Sequence, residues 1–163
     1  MSPARTTDAE WASFSASLAR LLRKTPTDDT FAIELPCDDD SGAAPYVQFC
    51  AYGPGRIRCE VVSNEYLARS RRHSVEDLRW LAHEGWGEPG DVNGAGSPHH
   101  YLDVDVEWAE LAADQAVRVL RDLWGVTDLH REVFMDADAL RRFRWVATNS
   151  VDRTTSSSMP GRI

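Results

Sequence analysis

No stretch of the sequence approaches the ~20 consecutive apolar residues that a membrane-spanning helix requires, so no helical span is expected. The opening residues, Met-Ser-Pro-Ala-Arg-Thr-Thr-Asp-Ala-Glu, hold neither an apolar run nor a cleavage site, and no secretory leader is expected. Cysteine is scarce: Cys37, Cys50 and Cys59 have no metal-ligand spacing and cannot all pair, and they read as reduced thiols of a cytoplasmic protein. Positive charge is also short. Eighteen Lys and Arg face 26 Asp and Glu, for a net charge of −8 and a pI near 5.0. A field of that sign repels a phosphate backbone and an anionic lipid surface, so neither nucleic acid nor membrane is expected as a partner. Catalytic signatures are missing too. Gly85-Trp86-Gly87 and Gly90 to Gly96 match neither a phosphate loop nor a dinucleotide fingerprint, and no nucleophile elbow accompanies any serine. No catalytic residue and no cofactor is expected.

What is present suits one folded domain. The 163 residues can bury a core without staples, 42% of them are apolar, and six are tryptophan. Trp11, Phe14, Leu18, Leu21 and Leu22 recur at steps of three and four, which predicts a helix over Asp8 to Lys24 with Asp8 as its N-cap and Pro26 after its end. Thr30 to Leu35 alternates as a half-buried strand, and Pro36 to Pro45 is a polar loop. Tyr46 to Tyr52 and Arg56 to Ser63 are two strands around Gly53-Pro54-Gly55. An even loop sets Cys50 opposite Cys59 and gathers Cys50, Tyr52, Ile57, Cys59 and Val61 on one face. A bulged three-residue loop shifts the register by one and scrambles both faces.

Ser74 with Asp77 three residues on marks a second helix, which ends at Gly85. His100 to Val106 alternates as a fourth strand. Glu107 to Trp124 is a long helix whose buried stripe runs through Trp108, Ala112, Ala116, Leu120 and Leu123, with Leu111, Val119 and Trp124 beside it and Gly125 as its cap. Leu129 to Val146 adds a short helix, chiefly Asp136 to Trp145. The order α-β-β-β-α-β-α predicts an α+β fold, an antiparallel sheet flanked by helices. Trp11 and Trp108 are expected in the core, and Trp86, Tyr101 and Tyr52 at the surface.

Three polar clusters carry residue types that could support chemistry. His99, Asp103 and Asp105 fall on one strand face, with His100 on the other, and could hold a divalent metal; a solvated strand face is the simpler account. Arg69, Arg71, Arg72 and His73 form a basic run that suits an anion or an acidic client segment, or simply a solvated loop. Cys50 and Cys59 could be a redox pair, but no cationic neighbour is evident to activate them and core thiols are the better reading.

The helix from Trp11 to Leu22, the hairpin Tyr46-Val47-Gln48-Phe49 to Glu60-Val61-Val62-Ser63-Asn64, Leu81 to Pro89 (LAHEGWGEP) and the strand-to-helix unit Tyr101 to Val126 together resemble a known family. The chain is similar to the type III secretion chaperone-like superfamily, and within it to YbjN and the actinobacterial peptide-binding chaperone-like (TY-Chap) proteins. The likeness covers Trp11 to Val126 and departs at the histidine pair and after Val126. It implies a secretion-chaperone-like domain over 8–126, often dimeric, that holds exposed client segments in extended form, with no shared catalytic residues. Residues 127–148 are then a helical extension and 149–163 a disordered tail. The resulting expectation is a non-enzymatic, homodimeric binder of a client protein or peptide, contacting it through Tyr52, Trp86, Tyr101, Asp103, Asp105, Arg71 and Arg72. The alternative is an acidic immunity protein that inhibits one folded basic toxin or enzyme.

Overall fold

A computed structural model describes residues 4–136. Helix α1 spans Asp8–Lys24, as its periodicity predicts, but its N-cap is Thr7. The Thr7 hydroxyl accepts from the Glu10 amide at 3.2 Å and the Glu10 carboxylate accepts from the Thr7 amide at 2.7 Å, a reciprocal capping box that Asp8 does not enter. Strands follow at Thr30–Glu34 (β1), Tyr46–Tyr52 (β2) and Arg56–Val61 (β3). After them come α2, Val75–His83, then β4, His100–Asp105, and α3, Ala109–Arg118, which runs on into a π-helical turn at Val119–Leu123. A four-residue helix α4, Leu129–Glu132, and a two-residue strand β5, Phe134–Met135, complete the described chain.

The five strands form one antiparallel sheet in the order β4-β3-β2-β1-β5. The α+β class predicted from the sequence is thus the class observed; β5 is an addition, too short to show alternation. It replaces part of the helix expected from Leu129 onward. The helix expected chiefly over Asp136 to Trp145, and the tail 149–163, lie outside the described residues.

The β2–β3 register corrects the even-loop expectation. Gly53 and Gly55 both take positive φ, 51° and 68°, so the chain reverses over three residues and Tyr52 pairs with Arg56. Cys59 then faces Phe49, and Cys50 faces Arg58. The shift sorts the faces instead of scrambling them. Val47, Phe49, Ala51, Ile57, Cys59 and Val61 all point inward, whereas Gln48, Cys50, Tyr52, Arg56, Arg58 and Glu60 point outward. Cys50 and Cys59 therefore lie on opposite faces and cannot form a redox pair. Burial pushes the Cys59 thiol well above its ordinary range, which keeps it inert.

Helices α1 and α3 cover the inner face. Trp11, Phe14, Leu18, Leu21 and Leu22 of α1 meet Phe31, Ile33, Val47 and Phe49 of the sheet, and each large side chain withdrawn from water contributes roughly 1.5–3 kcal/mol. Ala109, Ala112, Ala113 and Ala116 give α3 a buried face of small side chains, which lets it lie close to α1. Ser15–Asp114 and Arg23–Glu110 contacts tie the two helices along their length. Trp108 does not belong to this core: it is 59% exposed. It sits in a 3-10 turn, Val106–Trp108, whose tighter winding rotates it off the buried stripe and hands the inward position to Ala109. Leu111, expected beside that stripe, is also exposed.

Candidate functional site

Helix α2 is short and lightly anchored. Ser74 and Asp77 close its first turn, the hydroxyl accepting from the Asp77 amide at 3.1 Å and the carboxylate accepting from the Ser74 amide at 2.9 Å. Leu81 is its one fully buried residue. Beyond the helix end the chain folds back through Gly85, and the Trp86 amide donates to the Leu81 carbonyl at 3.0 Å, which turns the indole inward. Trp86 is only 4% exposed, so it is not the surface aromatic expected from its glycine-flanked position. Gly85, at φ 97°, serves the reversal of the chain instead, and Gly87 lies against the Tyr101 ring.

Between α2, Trp86 and the adjoining ends of β3 and β4 lies a cleft of about 320 Å³. Leu78, Ala82, Trp86 and Pro89 form its apolar walls, Ser63, Asn64 and His100 lie on the sheet side, and Glu65 and Glu88 complete the lining. Val75, Leu78 and Ala82 recur at helical spacing on one face of α2, and Val75 and Leu78 stay 60% and 37% exposed. Trp86 Nε1 and Ser63 Oγ are buried without a hydrogen-bond partner among the described residues. Each such atom costs about 1–3 kcal/mol relative to a satisfied one.

Three buried histidines back the cleft. The His73 Nε2–H donates to the Val62 carbonyl at 3.0 Å, and Asn64 clamps the His73 backbone, donating to its carbonyl at 3.0 Å and accepting from its amide at 2.6 Å. His73 stands 5.9 Å from the His100 ring and stacks on Trp124 at 6.4 Å. His99 Nδ1 accepts from the Ser63 amide at 3.2 Å, so its proton sits on Nε2 and points to the Tyr46 hydroxyl at 3.1 Å. Burial lowers all three below the usual histidine range. His100 falls furthest, to about 4, through burial first and then the neighbouring His73 and His99. At neutral pH the sheet side of the cleft is therefore uncharged.

The outer face of the sheet gathers four of the predicted contact residues. Arg58 forms a two-pronged ion pair with Asp103, both bonds 2.8 Å, and donates to the Gly94 carbonyl at 2.9 Å. Its guanidinium lies 5.9 Å from the Tyr52 ring centre and 5.2 Å from that of Tyr101. Burial would raise the Asp103 carboxyl, but the hydrogen bonds and charge of Arg58 outweigh it and hold the group below its ordinary value. Asp105 pairs with Arg56 at 2.6 Å, and the Tyr101 hydroxyl donates to Asp91 at 2.9 Å. These contacts take up the groups that the metal reading of this strand would need. Both carboxylates are engaged by guanidinium groups, His99 is turned to Tyr46, and no metal-type cluster of three His, Cys, Asp or Glu occurs among the described residues.

The predicted contact set thus divides. Tyr52, Tyr101, Asp103 and Asp105 share the outer face, and Trp86 lines the cleft. Arg71 and Arg72 sit in the β3–α2 connection, where Arg71 donates to the Pro36 carbonyl at 3.0 Å and Arg72 is exposed. Sequence reasoning missed the arginines of β3. Their alternation opposite Asp103 and Asp105 is a readable signal once the register is correct. It missed Leu78, Ala82, Glu65 and Glu88 as a group because nothing local marks residues that only tertiary packing brings together.

These features define the class, an α+β domain with helices on one face of a five-stranded antiparallel sheet. The family model described as T3SS (YopN, CesT) and YbjN peptide-binding chaperone 3, or TY-Chap3, matches residues 4–141, and the chain belongs to that family. No curated protein and no solved structure matches the chain. Among the described residues no helix is long and apolar enough to cross a membrane.

Proposed function

We propose that the protein is a non-enzymatic, chaperone-like binder that covers apolar segments of client polypeptides. The observation that carries this reading is the family match, which spans residues 4–141 and so takes in every element that builds the cleft. The shape of the cleft suits such a role. It opens beside an exposed apolar stripe of α2, and an extended segment laid there would sink a side chain into it. Tyr52, Tyr101, Asp103 and Asp105 on the outer face, with Arg71 and Arg72, are the flanking contacts in this reading. The working unit is a cytoplasmic homodimer, and the net charge of −8 keeps the loaded complex soluble.

The test measures whether the purified protein suppresses light scattering from a diluted, chemically denatured protein, and whether it retains extended peptides on an array. Its mass in solution is determined in parallel. Concentration-dependent suppression with selective peptide retention supports the reading. Absence of both overturns it, and a monomeric mass at working concentration removes the dimer.

A further inference from the structure

We infer that the cleft beside α2 receives one apolar side chain of a client segment whose neighbouring residues are basic. This rests on the peptide-binding reading above and specifies its substrate class. Three observations point the same way. First, the walls are apolar, and α2 leaves Val75, Leu78 and Ala82 uncovered although it is a capped, well-formed helix. Second, the charged residues of the lining are of one sign. Glu65 and Glu88 are exposed and form no ion pair among the described residues, and the lining holds no Lys or Arg. His100 stays neutral, so no cationic side chain of the lining offsets them. An acidic segment would meet two uncompensated carboxylates there, whereas Lys or Arg on either side of the inserted residue would neutralise them.

Third, two lining residues that are almost wholly buried, Ser63 at 3% and Trp86 at 4%, keep a hydroxyl and an indole N–H without a partner among the described residues. Both atoms are closed off from solvent at the cleft wall, so they reach a client only where binding parts the side chains around them. There an indole N–H, which donates, and a hydroxyl, which does either, suit the carbonyl and amide of a peptide backbone. The occupant is therefore an extended basic-apolar-basic segment, held by its side chain in the walls and by its charges at Glu65 and Glu88.

The experiment uses the full chain and short fluorescein-labelled peptides read by polarisation. One peptide carries a central Leu flanked by Lys, a second replaces the Leu by Ser, and a third replaces the Lys by Glu. The first is expected to bind about tenfold more tightly than either other, with the advantage over the Glu peptide shrinking as salt rises. The double variant Glu65→Gln, Glu88→Gln should lose the preference for Lys over Glu but keep that for Leu over Ser. Leu78→Asp should lose the Leu preference. All three positions are exposed, and circular dichroism verifies that the variants fold. Equal binding of the Lys and Glu peptides, or a charge preference that survives in the double variant, overturns the inference while leaving peptide binding intact. Binding of none of the peptides overturns both.

Discussion

The smallest side chains in this protein hold one of its largest in place. Tyr101 projects onto the outer face with its ring against Gly87 and Gly94, where an added Cβ would lie 2.2 Å and 2.3 Å from ring carbons. Neither glycine has a positive φ, so an alanine there is strained by the ring alone and not by its backbone. The ring in turn fixes Arg58 at 5.2 Å and, through its hydroxyl, Asp91. Gly94→Ala is expected to destabilise the fold by about 1–3 kcal/mol, the usual cost of overpacking. The same change on a Tyr101→Ala background should cost little, because the atoms it strikes are gone. Urea denaturation of the two single variants and the double variant measures the coupling. Additive losses would show that the contact with the ring is not what excludes a side chain at Gly94.

At the scale of elements, helices α1 and α2 carry the same reciprocal cap but depend on it differently. Helix α1 buries seven residues, from Trp11 to Leu22, whereas α2 is nine residues long and buries Leu81 alone. Losing a cap costs about 1 kcal/mol in either case. In α1 that loss is spread over a helix held by tertiary packing. In α2 it falls on the local opening equilibrium. Ser74→Ala should therefore speed amide hydrogen exchange across 75–83 by about fivefold, while Thr7→Ala leaves most of α1 unchanged. Comparable acceleration in both helices would contradict this account. Because Leu78 and Ala82 belong to the cleft wall, the Ser74 variant should also bind client peptides more weakly.

The same elements show what the sequence can and cannot disclose. Helix α1, the hairpin strands and the Ser74 cap are legible because their signals are local: periodicity, alternation and a three-residue spacing. The β2–β3 register is not, since Gly-Pro-Gly fits two loop lengths and one residue of slip moves every side chain to the other face. That ambiguity hides the pairing of Arg56 and Arg58 with Asp105 and Asp103. Periodicity misplaces Trp108 because a 3-10 turn precedes α3 without any residue that announces it. The glycines around Trp86 suggest exposure, but its burial follows from a chain reversal that only the folded structure reveals.

For the whole molecule, three buried neutral histidines make stability depend on mild acid. His73, His99 and His100 come from the β3–α2 connection and the entry to β4, and all are 6% exposed. In the unfolded chain each takes up a proton near pH 6.5. In the fold, burial lowers each of them, and His100 to about 4, even though Asp77 near His73 and Glu60 and Glu65 near His99 pull the other way. Below about pH 6.5 the unfolded state consequently binds more protons than the native one, so stability is complete above that value and declines as pH falls. The carboxylates held low by partners, such as Asp103 by Arg58, contribute stability that is lost only near and below about pH 4. The interval between reports mainly on the imidazoles. Urea unfolding free energy should fall from pH 7.5 to 5, and in His100→Gln the slope through the lower half of that interval should be shallower by up to about 1.4 kcal/mol per pH unit, the contribution of one proton. A slope unchanged in that variant would assign the acid sensitivity to groups other than His100. A profile flat down to pH 5 would mean that the three imidazoles are hydrated in solution and titrate alike in both states.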